Sequence, residues 1–367
     1  MITLLWKQPD GIDDVQQLIQ TAIDLEFSTL PPYLYAKFTI LPGTNEVALA
    51  RLNAIIGQEM IHMCLACNIL NAVGGTPAIN PPNYPGPLPG GVDGGVVTHL
   101  LPFSPEAMAQ GMAIEEPSEA IKPRLRLLAG ASDRVTIGEF YHRLDGELAK
   151  LPSTAWSANS IQFGDAQFFQ GQLFAVKNYS DAHSAIGRIV SEGEGTPVTL
   201  DNAGSPLDFQ NDLAHYYRFW EIYKNQVLTK DPAPPGYAWG EPLGVDWTGV
   251  YPAIADPQEH DFSKDSPAAQ TAQATCDSAF TAMVDALGKA FAGDTGGLGV
   301  AVRAMFDLRM AAMQALQTPL KDGKSVAGPA FRYIGTGQAK ARSRGKATKT
   351  KAAATKVSKT TTKGAGA

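Results

Sequence analysis

The chain has 367 residues, 44% hydrophobic and 18% charged, enough for one large globular domain or two with an ordinary core. Its net charge of −6 conceals a division: from Thr336 onward there are nine Lys or Arg and no acidic residue, so residues 1–335 hold 21 basic against 36 acidic residues, which excludes nucleic acid as the main partner. No run nears 18 consecutive apolar residues, the N-terminus lacks a basic stretch followed by an apolar one, and three cysteines make no disulfide framework, so no membrane partner and a cytoplasmic location are expected.

The first predicted helix starts at about Ile12 or Asp13, with acidic residues in its first turn, and runs to Leu30. Its apolar stripe is Ile12, Val15, Ile19, Ala22, Ile23, Glu26 and Leu30, so a carboxylate stands in the inward face. Pro31 and Pro32 are expected to interrupt this helix, with a second helical piece in PPYLYAKFTI. After a turn at Pro42, Gly43 and Asn45 comes the helix of Leu49 to Ala72, ended by Gly74 and Gly75.

That second helix has the same defect in its apolar face. Leu52, Ile55, Ile56, Glu59, His62, Met63, Ala66 and Leu70 share one side, with Glu59-x-x-His62 at its centre. An ionised Glu in a core costs several kcal/mol unless it is paired, hydrogen-bonded or bound to a cation. Two such carboxylates in successive helices, one with a His at i+3, point to a metal site rather than to two unrelated accidents. Cys64-x-x-Cys67 has no second pair and reads as small core residues.

From Thr76 to Pro102 the sequence turns to Pro and Gly and is expected to be a long structureless loop covering a site. Pro105 to Glu119 reads as a short helix on which Glu115, Glu116 and Glu119 form a solvated face. The helix of Thr136 to Leu151 buries Ile137, Phe140, Tyr141, Leu144 and Leu148. Glu139 and His142 lie off that stripe, and Thr136 with Glu139 forms a capping box.

The aromatic segment between Trp156 and Tyr179 has no clean helical period. In Asp181 to Gly195 the stripe is read as His183, Ile186, Gly187, Val190 and Glu194, with Glu192 pointing elsewhere. Pro206 to Leu228 forms a helix in which His215, Phe219 and Ile222 share a face. On its residues alone His215 reads as a core histidine, and Arg218 as a partner of Glu221. A Pro- and aromatic-rich connection follows, then helices at Ala268 to Ala292 and Gly299 to Gln317, the latter with the stripe Val302, Met305, Phe306, Met313 and Leu316. The Lys-, Ala- and Thr-rich tail cannot bury a core and is expected to be disordered.

Several blocks carry a resemblance: LEFSTLPPYLYAKFTI (residues 25–40), GQEMIHMCLACNILNAVGG (57–75), TIGEFY (136–141), GEG (193–195), HYYRFWEI (215–222) and DGKSVAGPAFRY (322–333). In this order they resemble the ferritin-like family that includes the N-terminal region of the violacein-pathway iminophenyl-pyruvate dimer synthase. The resemblance implies an all-α, ferritin-like helical bundle with long Pro/Gly-rich insertions and an additional C-terminal helical hairpin. It divides the chain into a metal-binding bundle (1–230), a connection (231–267), the hairpin (268–335) and the tail (336–367). It implies as metal ligands Glu26, Glu59, His62, Glu139, Glu194 and His215, four carboxylates and two imidazoles for one or two ions of iron, with manganese the other candidate. No final helix holds an inward Glu-x-x-His, so the second half of the site departs from the plain ferritin scheme.

The expected function is a non-haem iron oxidoreductase of secondary metabolism. Its partners would be a small amino-acid-derived substrate and oxygen or peroxide, a homo-oligomer being another candidate assembly. Two alternatives are a metal-handling or storage protein with no organic substrate, and a non-redox imine-coupling enzyme. The basic tail is assigned nothing beyond nonspecific contact with nucleic acid or acidic surfaces.

Overall fold

A computed structural model describes residues 4–89, 97–117, 134–157, 160–164, 171–194, 206–208, 210–231, 236–294 and 296–335. The expected disordered tail, and Glu119, lie outside the described residues. The architecture is an all-α bundle, with strands confined to short two-stranded antiparallel ladders among the described residues.

Helix α1 runs unbroken from Ile12 to Phe38, so the expected interruption at Pro31 and Pro32 does not occur. A proline at position 32 has no N–H to give the carbonyl of Ser28 four residues back. The hydroxyl of Tyr84 donates to that carbonyl instead, at 2.5 Å, from within the Pro/Gly-rich stretch. Both prolines are buried, and their apolar rings pack into the core that stabilises the helix. The same contact shows that residues 76–102 are not a structureless cover. Their described part is tied to α1 and closes the ladder of β1 (Gly86–Pro87) with β2 (Val97–Thr98).

Helix α2 covers Glu46–Ala72. It starts after Asn45, whose side chain exchanges hydrogen bonds with the backbone of Asp246, and it ends where Gly74 adopts φ +79°, a left-handed conformation that favours a residue without Cβ. α1 and α2 pack side by side. Around them stand α3 (Pro105–Ile114), α4 (Ile137–Leu148), α5 (Tyr179–Glu194) and α6 (His215–Lys224). α4 lies on α1, α5 and α6 lie on α2, and α3 pairs with α6.

The close approach of α3 to α6 depends on Gly111. A Cβ there would sit 2.7 Å from the buried Phe219 ring, far inside contact distance. The aromatic segment before α5 is held by buried Asn68 of α2, whose amide donates to the carbonyls of Phe163 and Phe174 while its oxygen accepts from the amide of Phe163. After α6, β3 (Gln226–Lys230) and β4 (Tyr237–Pro242) form a hairpin, part of it within the residues expected to be pure connection.

The last two helices, α7 (Pro267–Phe291) and α8 (Gly297–Leu316), pack on each other and on the bundle, with Phe280 stacked on Phe27 of α1. The buried face of α8 is not the expected Met- and Phe-rich stripe. Leu316 of that stripe is buried, but Phe306 is 63% exposed, and the rest of the face is Leu308 with Ala301, Ala304, Ala311, Ala312 and Ala315, alanines small enough to bring the two backbones close. Among the described residues no helix is long and apolar enough to cross a membrane.

The glycine at the α3–α6 contact yields a first prediction. Gly111→Val should lower the urea midpoint, with a loss of about 1–3 kcal/mol from overpacking against Phe219. An unchanged midpoint would mean that the two helices can separate without cost.

Candidate metal centre

The inward faces of α1, α2, α3, α5 and α6 bring Glu26, Glu59, His62, Glu115, Glu192 and His215 together inside the bundle. Glu59 and His62 lie one turn apart on α2 and are 2% and 1% exposed, as their place in the apolar stripe requires. The two imidazole rings lie nearly parallel, with centroids 5.5 Å apart.

Two donor groups share one carboxylate. Glu26, Glu59 and His62 offer ligand atoms within 4.8 Å of one another, and so do Glu59, Glu115 and His215. The two groups are built alike. The Tyr141 hydroxyl donates to Glu26 Oε1, leaving Oε2 3.5 Å from His62 Nδ1. The Tyr33 hydroxyl donates to Glu115 Oε1 at 2.6 Å, leaving Oε2 3.7 Å from His215 Nδ1. Glu59 lies between them, accepting from Thr29 Oγ1 through Oε2 at 2.9 Å, with Oε1 2.7 Å from His215 Nδ1.

The protonation of the imidazoles follows from what stands behind them. Glu192 carries Arg188 on Oε1 at 2.8 Å and is an acceptor only, so His62 Nε2, 2.7 Å from its other oxygen, must be the donor. His215 Nε2 lies 3.2 Å from the side-chain oxygen of Gln58 and donates to it. Both rings therefore turn Nδ1 toward the carboxylates. His215 Nδ1 is buried and makes no well-directed hydrogen bond, even though Glu59 Oε1 is only 2.7 Å away. The short separation with poor direction is what two electron-pair donors aimed at a common third point would give. The chemistry of the set, carboxylates with imidazoles, suits iron, manganese or zinc.

The electrostatics of the cluster suit a cation. Among the described residues no Lys or Arg reaches Glu26, Glu59 or Glu115 within ion-pair distance. Burial, with Glu115 and Glu26 close by, pushes the Glu59 carboxyl up to about 7. Burial would lower the His62 pKa, but Glu192 and Glu26 raise it well above its ordinary value. Both shifts favour the protonated forms, and a metal binding at these atoms would expel the protons.

The cluster opens on a cavity of about 40 Å³, lined on its apolar side by Leu25, Leu88, Ile114, Ile137, Ile189 and Val190. A water needs roughly 10–15 Å³ of such space, so the cavity takes ions and a few small molecules. Gly193 belongs to its wall: a Cβ there would lie 3.3 Å from Glu115 Oε2, so the absence of a side chain leaves room for that carboxylate.

Of the residues expected as ligands, Glu26, Glu59, His62 and His215 are brought together, and Glu139 is not. Its amide is capped by Thr136 Oγ1 and its half-exposed carboxylate pairs with Arg143, as an off-stripe position in a first helical turn dictates. His142 is exposed. Glu194 closes α5, and its side chain lies outside the described residues.

The expected solvated face of α3 and the outward Glu192 are both corrected. Glu115 continues the buried line of Met108 and Gly111, seven and four residues before it. In α5 Ile186 and Val190 are buried as expected, but the buried face is wider than the expected stripe and takes in Ala182, Ala185, Ile189 and Glu192, while His183 is exposed and pairs with Asp145. Arg218 does not pair with Glu221, whose carboxylate takes Arg51 at 2.8 Å.

A helical bundle with carboxylates and imidazoles turned into its centre defines a class of metal-capable helix-bundle proteins. The chain belongs to the Ferritin-like family, whose description matches residues 19–224, more than half its length. A solved structure, a ferritin-like protein from Caulobacter vibrioides, is 23% identical, with a TM-score of 0.60 over 90% of this chain and 99% of that one; this likeness shows the fold. No curated protein matches the chain.

Two predictions come from the buried ionisable groups. The Glu192 carboxyl, although buried, is held at about 2 by His62 and Arg188. A carboxylate with a lowered pKa contributes stability above its unfolded pKa and loses it as pH falls toward the folded one. In metal-free protein the advantage of the native chain over Glu192→Gln should be on the order of 2–3 kcal/mol above pH 4.5 and should vanish between about pH 4.5 and 2 in urea titrations. A pH-independent difference would show that Glu192 is not ionised.

Burial also pushes the Cys64 and Cys276 thiols up to about 12 and the Cys67 thiol well above its ordinary value. Ellman's reagent at pH 8 should therefore find no reactive thiol in the native chain and three after denaturation.

Proposed function

We propose that the chain is a non-haem iron oxidoreductase that holds two ions between Glu26, Glu59 and His62 on one side and Glu59, Glu115 and His215 on the other. The observation that carries this reading is that Glu59 is common to both donor groups. A carboxylate shared by two sets could serve two cations, and two divalent ions would more than offset the three carboxylates Glu26, Glu59 and Glu115 that face them. When bound, such a pair would supply electrons for the reduction of oxygen or peroxide.

The chain's own residues supply the rest. Tyr141 and Tyr33 fix the outer carboxylates by donating to the oxygen that faces away from the centre. Thr29 fixes the shared one. The apolar wall keeps bulk water off the cluster and admits small uncharged reactants. The resemblance of the 25–40, 57–75 and 215–222 blocks to the violacein-pathway synthase region supports an amino-acid-derived substrate and a place in secondary metabolism.

The size of the cavity favours a second reading. About 40 Å³ suits ions and small molecules better than an amino-acid-sized substrate, as in metal handling without organic chemistry.

An anaerobic ferrous titration followed by exposure to oxygen tests both readings. The native chain and Glu139→Ala should each bind two ions, and Glu59→Ala should lose both. No binding by the native chain, or full binding by Glu59→Ala, would overturn the metal centre. Oxygen uptake that continues beyond the bound iron when an amino-acid-derived substrate and a reductant are added supports the oxidoreductase. Uptake limited to the bound iron supports metal handling.

A further inference from the structure

The two donor groups match in what faces the cavity but differ in what stands behind their imidazoles. His62 Nε2 donates to Glu192 at 2.7 Å, and Arg188 holds the other oxygen of that carboxylate at 2.8 Å. Arg188 is itself anchored, donating through Nη1 to the backbone carbonyl of Gln172 at 2.9 Å and through Nη2 to its side-chain oxygen at 3.0 Å. His215 Nε2 meets a neutral group, the amide oxygen of Gln58, at 3.2 Å.

Both oxygens of Glu192 are thus engaged, one by Arg188 and one by the ring nitrogen opposite Nδ1, so neither is directed at the shared carboxylate. A carboxylate accepting from an imidazole makes its other nitrogen a stronger electron-pair donor and locks the ring's orientation, and such partners change metal affinity by about 10–100-fold. An amide oxygen orients the ring but polarises it less.

Resting on the reading of the cluster as a two-ion site, we infer that Glu192 is a positioning residue and not a ligand, and that through His62 it makes the Glu26/Glu59/His62 position the tighter of the two. That position fills before the Glu59/Glu115/His215 position. Arg188 keeps Glu192 charged, and Gln58 is the neutral counterpart that leaves the second position weaker.

Isothermal titration of the full chain with manganous ion, in the absence of oxygen, tests this without reference to activity. The native chain should bind in two resolved steps. Glu192→Gln should weaken the first step about 10–100-fold and leave the second in place. Gln58→Glu should tighten the second step and bring the two together. Circular dichroism checks that each variant is folded, and the His62 Nε2–H resonance reports the tautomer. The inference is overturned if the native chain binds two ions with equal affinity, or if Glu192→Gln leaves the first step unchanged. It is equally overturned if Glu192→Gln loses a whole equivalent with the His62 tautomer intact, since Glu192 would then be a ligand. Should Glu192→Gln not fold, an unchanged second step in Gln58→Glu overturns it. Absence of any binding by the native chain removes the two-ion reading itself, a result distinct from all of these.

Discussion

The structure depends on one unfavourable placement, the carboxylate of Glu59 at 2% exposure in the centre of a helix bundle. No Lys or Arg among the described residues reaches it, and what surrounds it instead is a threonine hydroxyl, an imidazole nitrogen and two more acidic groups. A buried charge without compensation costs several kcal/mol. Burial and the neighbouring acids raise the Glu59 carboxyl to about 7, and Glu192 and Glu26 raise His62 well above its ordinary value, so both groups favour their protonated forms. A divalent ion can replace those protons, because the same nitrogen and oxygen atoms accept either.

Much of the surrounding fold serves to hold this cluster in register. α1 can carry Glu26, Thr29 and Tyr33 along one continuous face only because it passes through two prolines, and Tyr84 satisfies a carbonyl that this leaves free. α3 is only ten residues long, yet it delivers Glu115 because Gly111 lets it lie directly on Phe219 of α6, four residues after His215. The ring of Tyr33 packs on that same Phe219 at 4.9 Å while its hydroxyl orients Glu115. Packing and ligand orientation are therefore carried by the same side chains, and a change in one must move the other.

What was legible in the sequence was the part written in periodicity. Glu26, Glu59 and His62 stand in apolar stripes of long helices, where a polar residue is conspicuous, and the structure buries all three. Glu139 shows the limit of motif matching: its Glu-x-x-His spacing copies that of Glu59, but it lies off the stripe, and the structure gives it to a helix cap and Arg143. Glu115 and Glu192 were missed because their helices are short or can be read on two adjacent faces. In α5 the expected Ile186 and Val190 are buried, but so are Ala182, Ala185 and Ile189 on the adjacent side, and that wider face takes in Glu192 and leaves His183 exposed. The continuous α1 was beyond local rules, since the hydroxyl that supports it comes from Tyr84, more than fifty residues away. In α8, size misled: large apolar residues drew the expected stripe, but a tight helix pair selects alanines.

The pairing of equivalent parts constrains how such a site can work. Each outer carboxylate is held by a tyrosine and each imidazole turns Nδ1 inward, so the cavity sees a nearly symmetric set of donors around Glu59. Symmetry of donors alone would make two bound ions equivalent. The difference lies one bond further out, in a charged Glu192 against a neutral Gln58, and it is carried by residues that do not face the cavity. A helix bundle can in this way keep one arrangement of ligands while setting the relative strength of its two positions from behind.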